Sequence, residues 1–402
     1  MVLRPRQFEP KSKSDRFSFV TEELRHINKA SLYRKLNVIN TDKLSTIVVN
    51  GSVESINLSS NDYLGLSRNK AVLKATVNNL CQISQCSSRL IAGNSDELDQ
   101  LEKKLADHRK SDKTLIYPSG YMANLGVIST LANKSTTIYS DEYNHASIID
   151  GCRLSGARIV IYRHNDLDHL DQLIRKSTSD RKIFVTETIF SMDGDQSDLR
   201  AIHELARRHN AITVVDDSHG DFIYDDRGKL ALEGINSVDV YISSLSKALG
   251  CFGGYVSASR QVIEFLINRS RSFIYSTSLP SHLCSAALAA IPIAEQGDLQ
   301  ELLMKKITFF SSKVDSMGFG NVRPKSRFRS QIVPIVVGDE KKTVEFSKLL
   351  LSAGIFIQSI RYPTVQFGKA RLRASITTSL DTKQLKIALE KIEAIARKLN
   401  II

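Results

Sequence analysis

The sequence predicts an α/β protein in which a large domain with a mainly parallel sheet is followed by a smaller C-terminal α+β domain. Between residues 114 and 242, short apolar runs typical of strands alternate with helix-compatible stretches. From about Pro292, long helical stretches alternate with β-like runs. Alternating strands and helices favour a parallel sheet with helices on both faces, and ligands bind such sheets at the carboxyl ends of the strands. The polar residues that punctuate this chain fall at those ends.

The predicted elements divide the chain into an N-terminal arm at 1–55, a large domain at 56–292 and a small domain at 293–402. The spacing of apolar residues defines each element, with a period near 3.6 for helices and of 2 for strands. The predicted helices are 22–36, 96–110, 120–131, 166–176, 198–208, 299–317, 340–353 and 382–399. The predicted strands are a hairpin at 46–57 and single strands at 114–117, 136–140, 158–162, 182–186, 211–215, 238–242, 332–337 and 355–360.

Composition excludes some classes of protein. The chain has 402 residues, of which 42% are hydrophobic, so it can bury a large core. No apolar stretch approaches the roughly 18 residues that a membrane helix needs, and we expect no membrane partner. The basic N-terminal stretch lacks the apolar segment of a secretory signal. None of the five cysteines forms a CxxC pair, which favours reduced thiols in a cytoplasmic protein.

The net charge of +12 would attract a polyanion. The basic residues are scattered along the chain, however, and form no recognisable nucleic-acid motif. A phosphorylated small ligand would also suit a positive surface. We therefore expect no nucleic-acid partner, and a basic nucleic-acid-binding protein remains a remote alternative.

Lys247 is the first candidate for chemistry. It lies in ISSLSKALGCFGG, Ile242 to Gly254, just after a predicted buried strand and among small residues. Removal from water would lower the pKa of its amine and favour the free base, a nucleophile toward aldehydes. Pyridoxal phosphate needs such a lysine. The alternative is a surface lysine in a loop of glycine and serine.

Asp216 ends a strongly apolar strand in VVDDSHG, and His219 follows it by three residues. A buried carboxylate at that place needs a positive partner, such as a protonated pyridine nitrogen. A metal is the rival ligand, since Asp216, Asp217 and His219 could all bind one. No further histidine or carboxylate stands at ligand spacing, so we expect no metal site.

Three other segments carry weaker candidates. Gly120 in YPSGY stands where a strand meets a helix, and amides at a helix N-terminus bind phosphate, although an ordinary turn would look the same. His145 in DEYNHASIIDG is catalytic or structural. Arg361, Arg371 and Arg373 crowd IRYPTVQFGKARLRASIT and would suit a carboxylate, unless they form a solvated basic face.

Taken together, these segments resemble the α-oxoamine synthases, pyridoxal-phosphate enzymes of fold type I, the aspartate aminotransferase-like fold. The resemblance runs from about residue 55 to the C-terminus, with a weaker match in the arm. The motifs that carry it, in the family's order, are SNDYLGL, PSGYMANLG, DEYNHASIIDG, TETIFSMDGD, VVDDSHG, SLSKALGCFGG, FIYSTSLP and IRYPTV…GKARLR.

The resemblance implies a role for each matching position. Lys247 would form the Schiff base with the cofactor and later carry protons, and Asp216 would pair with the pyridine nitrogen. His219 would bind the phenolic oxygen, and His145 would stack on the ring. The remaining implied positions are Gly120, Tyr121 and Ser244 for the phosphate, Thr277 for the phosphate of a neighbouring subunit, Ser191 and Asn61 lining the site, and Arg34, Arg361, Thr364 and Arg373 for substrate carboxylates.

The family joins an amino acid to an acyl-CoA thioester and releases carbon dioxide and CoA, in a homodimer whose sites form at the subunit interface. Within the family, Arg361 favours a member that makes a biotin precursor from L-alanine and a pimeloyl thioester. The tyrosine of YPTV is more typical of glycine acyltransfer, and serine acyltransfer is also possible on this fold. The sequence departs from the family's pattern at three places: SQCSSR replaces GSGGSR, Leu98 replaces a histidine, and HGDFIYDD lacks its usual glycines. Because of these departures, the resemblance does not define the acyl-chain pocket or the acyl substrate.

Overall fold

The computed structural model describes residues 15–41, 43–51, 54–223, 238–319 and 329–402, and a seven-stranded sheet lies at its centre. The strand order is β4-β10-β9-β8-β7-β5-β6. Its strands are β4 (Lys113–Tyr117), β5 (Thr136–Asp141), β6 (Arg158–Tyr162), β7 (Arg181–Glu187), β8 (Ala211–Asp216), β9 (Val240–Ser244) and β10 (Gly254–Ala258). The predicted mainly parallel sheet is confirmed, since β5 to β9 pair in parallel and β10 alone runs against its neighbours.

Strand β10 was not predicted from the sequence. Only a short loop separates it from β9, and a parallel pair needs a crossover of about a dozen residues or more. The chain therefore turns back and pairs antiparallel, with Gly254 opposite Ser244. This return brings Gly254 against the beginning of the helix that follows β4.

Helices cover both faces of this sheet and continue beyond it. In chain order they are α1 (Ser18–Lys29), α2 (Lys70–Asn78), α3 (Asp96–Arg109), α4 (Gly120–Leu131), α5 (Ala146–Ser155), α6 (Leu167–Arg175), α7 (Leu199–Arg208), α8 (Arg260–Arg269), α9 (Arg271–Ile274), α10 (Ser281–Ala294), α11 (Asp298–Ser316), α12 (Glu340–Ser352) and α13 (Thr382–Lys398). The predicted helix at 22–36 is wrong at its end, because Ser31 adopts a left-handed backbone (φ 60°) that stops α1.

The C-terminal part of the chain builds a three-stranded antiparallel sheet, β11-β14-β13. Its strands are β11 (Ile332–Gly338), β13 (Gln358–Ile360) and β14 (Ala370–Ser375). The run predicted as one strand at 355–360 is divided, because β12 (Ile355–Phe356) joins a different sheet. There it pairs in parallel with β3 (Glu54–Asn57), beside β2 (Thr46–Val49) and β1 (Ile39–Asn40).

One hydrophobic core connects the large sheet with the C-terminal elements. Val215 and Leu245, next to the strand ends of the large sheet, belong to the same buried cluster as Ile332 and Leu372 of the C-terminal sheet. The predicted boundary after residue 292 falls inside α10, and the division into three domains stays a proposal. Within the described ranges, the helices include none that is both long and apolar enough to cross a membrane.

Candidate active site

Lys247 follows β9 in a tight turn whose backbone is held by the bond from the Leu245 amide to the Gly253 carbonyl. Its Nζ atom lies 3.1 Å from Nε2 of His219. Burial lowers the pKa of this amine, and the negative charges of Asp216 and Glu187 oppose the shift. The amine therefore points into the site rather than into bulk water.

Asp216 ends β8 and is buried. One carboxylate oxygen accepts a 2.5 Å hydrogen bond from Nδ2 of Asn124, and the other accepts a 2.8 Å bond from the amide of Ser218. Asn124 comes from α4 and also bonds Ser147. Sequence reasoning missed Asn124, although a single amide among the apolar residues of a buried helix face was a usable signal.

Glu187 ends β7 directly beside Asp216 in the parallel register. Its Oε1 accepts a 2.6 Å hydrogen bond from the amide of His145. Burial and then the charge of Asp216 raise the pKa of Glu187 well above its usual range. Two carboxyl groups therefore lie side by side at the strand ends, and Asp216 is the one that accepts two hydrogen bonds.

The two histidines of the site are held in different ways. His145 caps the beginning of α5, with Nδ1 2.7 Å from the hydroxyl of Ser147, and burial lowers its pKa. His219 is hydrogen-bonded through Nδ1 to the Tyr63 hydroxyl at 2.8 Å. Burial, and next the neighbouring Lys247, lower the pKa of His219 well below its usual value. Both rings are therefore neutral at neutral pH.

Arg373 on β14 connects the C-terminal sheet to the loop that precedes α2. Its guanidinium donates to Asn61 Oδ1 at 3.2 Å and to the Tyr63 hydroxyl at 3.3 Å, and it also donates to the Ser191 carbonyl. Three sequence-predicted residues, Asn61, Ser191 and Arg373, are thus brought together. Tyr63, which sequence reasoning missed, joins this group to His219.

The segment at Gly120 forms a cradle at the beginning of α4, which Ser119 caps by accepting from the Met122 amide. A Cβ atom at Gly120 would lie 3.4 Å from Cβ of Ser244, so a side chain there would enter the space between the two. The exposed Tyr121 donates its hydroxyl to Asp150 and presents its ring edge to His145. Amides at the N-terminus of a helix suit a phosphate.

Four predicted residues lie away from this centre. Arg34 donates to the Tyr362 carbonyl at 3.4 Å, and Arg361 donates to the Ser31 carbonyl, so the two arginines lie near each other beside α1. Burial lowers the pKa of Arg361, and the positive charge of Arg34 lowers it further. The amide of Thr364 bonds the Arg361 carbonyl. The exposed Thr277 forms a strand bridge with Ser88 of its own chain.

Arg371 and Asp217 have partners that the sequence left open. Arg371 is buried and pairs with Asp193, so it is not part of a solvated basic face. Asp217 pairs with Arg109 and accepts a hydrogen bond from Thr188. The rival metal set of Asp216, Asp217 and His219 therefore has its acids engaged by an amide and a guanidinium.

The departures from the family's motifs have structural counterparts. Cys86 in SQCSSR and Phe222 after His219 both adopt left-handed backbone, at φ 53° and 60°, which glycine adopts without strain. Phe222 stacks on His108 with ring centres 3.9 Å apart, and Leu98 is fully buried in the core. Residues 224–226 of HGDFIYDD lie outside the described ranges.

The residues present fit pyridoxal 5′-phosphate. The groups of that cofactor match the lysine amine biased toward its free base, the carboxylate held at a strand end, the two neutral imidazole rings and the cradle of small residues at a helix N-terminus. Comparison with known proteins gives the decisive observation. The model for aminotransferase class I and II matches residues 53–392.

The chain belongs to the aminotransferase class I and II family. It is 39% identical to an 8-amino-7-oxononanoate synthase of Thermoanaerobacter pseudethanolicus, over 96% of this chain and 98% of that one. It is 38% identical to the same enzyme of Petrotoga mobilis, over 96% and 99% of the two chains. These relatives place it among the α-oxoamine synthases, and it is a pyridoxal-phosphate-dependent transferase.

Solved structures of family members superpose over nearly the whole chain. A serine palmitoyltransferase from S. paucimobilis, with a bound PLP–myriocin aldimine, matches with a TM-score of 0.88 and 25% identity, covering 98% of this chain and 100% of that one. An 8-amino-7-oxononanoate synthase from Francisella tularensis matches with a TM-score of 0.73 and 28% identity, over 86% and 98%. The expected aspartate aminotransferase-like fold is confirmed.

Proposed function

We propose that this α-oxoamine synthase joins L-alanine to pimeloyl-CoA and releases 8-amino-7-oxononanoate, CoA and carbon dioxide, as a step of biotin biosynthesis. The relatives named 8-amino-7-oxononanoate synthase support this choice within the family. The observation that carries the chemistry is the position of the Lys247 amine. It lies 3.1 Å from Nε2 of His219, and the charge of Asp216 acts on its pKa.

The cofactor, when bound, supplies an electron sink for the carbanion formed at the amino acid. Lys247 would bond its aldehyde, Asp216 would pair with its ring nitrogen, and His219 would bind its phenolic oxygen. His145 would cover one face of the ring. The amides of Gly120 and Tyr121, together with the Ser244 hydroxyl, would hold its phosphate. Ser191 would line the same site.

Lys247 also moves protons in this proposal. Its lowered pKa lets the amine accept the α-proton of the bound amino acid, and the resulting ammonium can return a proton after carbon dioxide leaves. His219 is neutral and beside it, so it does not oppose the transient positive charge. The Tyr63 hydroxyl fixes the ring of His219 from the other side.

Arginines would receive the substrate carboxylates. Arg373, already bound to Asn61 and Tyr63 at the centre, would take the amino-acid carboxylate. Arg34, Arg361 and Thr364 would take the carboxylate at the end of the acyl chain.

A cavity of about 250 Å³ lies between the His145 segment and the segment after Arg361. Its apolar lining includes Tyr143, Ile149, Phe190, Met192 and Val365. We propose that this cavity binds the acyl chain of the thioester, and its volume suits a short chain.

The test combines one variant with a substrate panel. Lys247→Ala should lose both the visible absorbance of the lysine-bound cofactor and turnover. Wild-type protein should release free thiol and give the mass of 8-amino-7-oxononanoate from alanine and pimeloyl-CoA. Pimeloyl attached to a carrier protein should be run in parallel, since the donor carrier is part of what is measured. Turnover by Lys247→Ala would contradict the proposal that Lys247 bonds the cofactor and moves protons.

A second function on the same fold has its own support. The superposition on serine palmitoyltransferase and Tyr362 in the IRYPTV segment favour serine or glycine acyltransfer, as in serine palmitoyltransferase, glycine C-acetyltransferase or 5-aminolevulinate synthase. Glycine or serine used in preference to alanine would overturn the biotin assignment while leaving the lysine chemistry intact.

The proposed assembly is a homodimer with the active site at the subunit interface. Several large apolar side chains are exposed to solvent in the single subunit, among them Ile91 at 82%, Ile83 at 77% and Tyr275 at 72% exposure. Thr277 lies close to Tyr275 in sequence, on the same exposed segment, and would reach the phosphate of the partner's cofactor. A cytoplasmic location is also proposed, and the five cysteines, all within the described part of the chain and all unpaired, support it.

A further inference from the structure

His164 lies outside the residues to which the proposed chemistry gives a role, yet it has an unusual environment. Nδ1 is 2.8 Å from Oδ1 of Asp141, and Nε2 is 2.7 Å from Oδ2 of Asp195. A ring that faces a carboxylate at each nitrogen must donate from both, and it is then an imidazolium cation. The side chain is 16% exposed, and both carboxylates are more deeply buried.

Aromatic rings and an amide complete the enclosure of His164. Tyr143 stacks on the imidazole with ring centres 4.3 Å apart, and Phe190 meets it edge-on at 4.4 Å. The neighbouring Asn165 donates a further 2.9 Å bond to Asp195. A cation among aromatic faces and two carboxylates gains cation–π and charge-assisted contacts together.

The two carboxylates belong to different segments of the chain. Asp141 ends β5, whereas Asp195 lies in the loop between β7 and α7, residues 188–197. We call residues 188–197 the β7 loop. Its base is closed by the pairing of Ile189 with Gln196 and by the bond from the Ser197 amide to the Thr188 carbonyl. His164 thus ties the β7 loop to the main sheet.

The other side of the β7 loop contacts Arg373 and Arg371 on β14. The Ser191 carbonyl accepts from Arg373, and the carboxylate of Asp193 pairs with Arg371. The Ser330 hydroxyl also donates to the Gly194 carbonyl at 2.6 Å. A shift of the β7 loop would therefore move Arg373, whose guanidinium also bonds Asn61 and Tyr63.

We propose that His164 is a positioning residue, whose pairing with Asp141 and Asp195 fixes the β7 loop so that the Ser191 carbonyl holds Arg373 where an amino-acid carboxylate is bound, while the pair of Asp193 with Arg371 fastens the same loop to β14. The proposal rests on the proposed role of Arg373. It predicts that His164 acts on amino-acid affinity more than on cofactor binding, because Ser191 is the one residue of the β7 loop proposed to line the cofactor site, whereas Lys247, Asp216 and His219 are held by other segments.

The test is His164→Gln, measured on the holoenzyme. Loss of the cation releases Asp195 and loosens the β7 loop, and a misplacement of about 1 Å in a binding group can cost up to roughly 100-fold. We expect the KM for the amino acid to rise by about 10- to 100-fold, with the cofactor content unchanged. The KM for the acyl thioester should rise as well, because Phe190 and Met192 of the same loop line the cavity given to the acyl chain. Amino-acid binding without acyl donor, followed by the change in cofactor absorbance, should weaken by the same factor.

Two further variants make the test specific. His209→Gln is the matched control, because His209 also pairs with an aspartate, Asp171 at 2.8 Å, but stands away from the β7 loop. It should leave the amino-acid KM unchanged. Asp195→Asn keeps the shape of the side chain and removes its charge, so it should raise the same KM even where His164→Gln proves too unstable to purify.

A third measurement is independent of turnover. With ¹⁵N-labelled histidine, the imidazole of His164 should show both nitrogens protonated at pH 8. A His164→Gln protein that loses thermal stability but keeps the wild-type amino-acid KM would overturn the positioning role. So would a neutral imidazole at pH 8. A wild-type enzyme that binds no amino acid at all would instead remove the proposed function on which the inference rests.

Discussion

Three basic side chains at the centre of the site, Lys247, His145 and His219, have pKa values below their ordinary ranges because they are buried. The same burial raises the pKa of Glu187. Asp216 is the acid that keeps two hydrogen-bond donors. The site therefore places the carboxylate of Asp216, held by two hydrogen bonds, where a protonated ring nitrogen is proposed to bind.

Replacing that charge should stop the chemistry without emptying the site. Asp216→Asn keeps the size of the side chain but cannot stabilise a protonated ring, and we expect turnover to fall roughly 100-fold or more, with cofactor still bound. Asn124→Ala, which removes one donor to Asp216, should cause a smaller loss. Steady-state rates normalised to bound cofactor measure both. Wild-type turnover by Asp216→Asn would refute the proposed pairing.

His164 makes a prediction about stability and pH. Burial lowers its pKa, but the hydrogen bonds and charges of Asp141 and Asp195 outweigh that effect and raise it from 6.5 to about 10. The Glu142 carboxylate accepts a hydrogen bond from the His164 backbone amide, and Tyr143 stacks on the ring. Because the folded state holds the proton more tightly, the contribution is full below pH 6.5, declines as pH rises, and is absent above about 10.

The measurement is the difference in Tm between wild type and His164→Gln from pH 6 to pH 10, since groups common to both proteins cancel. The difference should be largest near pH 6 and shrink steadily toward pH 10. A difference that stays constant, or grows, across this range would show that the ring carries no extra proton in the folded state.

At the scale of elements, the site is assembled by the carboxyl ends of neighbouring parallel strands. β7 presents Glu187, β8 presents Asp216, and the turn after β9 presents Lys247. The antiparallel return of β10 then packs Gly254 against the beginning of α4. A Cβ atom at Gly254 would stand 2.4 Å from the amide nitrogen of Gly120, closer than any ordinary contact.

Gly254→Ala should therefore displace the Gly120 cradle and weaken cofactor binding. We expect the dissociation constant of pyridoxal phosphate to rise at least about tenfold, which corresponds to roughly 1.4 kcal/mol. The control is Gly156→Ala, where the added Cβ meets open space and only the left-handed backbone (φ 68°) is strained. That variant should lose stability but keep cofactor affinity, as spectroscopic titration of the apoenzyme would measure. Equal affinities in the two variants would contradict the cradle.

At the scale of the whole molecule, the chain connects its two ends through one core and one small sheet. β12 from the C-terminal part pairs with β3 near the N-terminus, and Arg361 reaches the end of α1. The exposed apolar side chains near residues 83–91 and 275 have no cover within the described part of the chain. A second copy of the chain is the proposed cover.

A charge on that surface should separate the subunits. Ile91→Asp places a carboxylate at a side chain that is 82% exposed in one chain, so it should not harm folding but should give a monomer by sedimentation. Cofactor affinity should fall with it, because Thr277 of the partner would be lost. Ile161→Asp on the edge strand β6, also exposed, is the control and should stay dimeric. A dimeric Ile91→Asp would exclude this surface.

The sequence by itself determined which reactive residues follow which strands. A lysine follows one buried strand, an aspartate and a histidine follow another, and a further histidine precedes α5. Local spacing suffices there, because parallel strands bring their carboxyl ends to one edge of the sheet. It also determined many helices and strands, but not β10, whose direction depends on loop length, nor the end of α1. Also unpredicted were α2, α5, α8, α9, α10, β1 and the strand β14 that carries Arg373.

Only the tertiary structure decided which distant side chains meet. Arg373 contacts Asn61 across 312 residues of sequence, and Asn124 supports Asp216 across 92. His164 reaches Asp195 from 31 residues away and becomes a cation through that contact. Such pairings follow from the packing of whole elements, which local periodicity does not encode, so the lysine was visible in the sequence and the network that positions the substrate arginines was not.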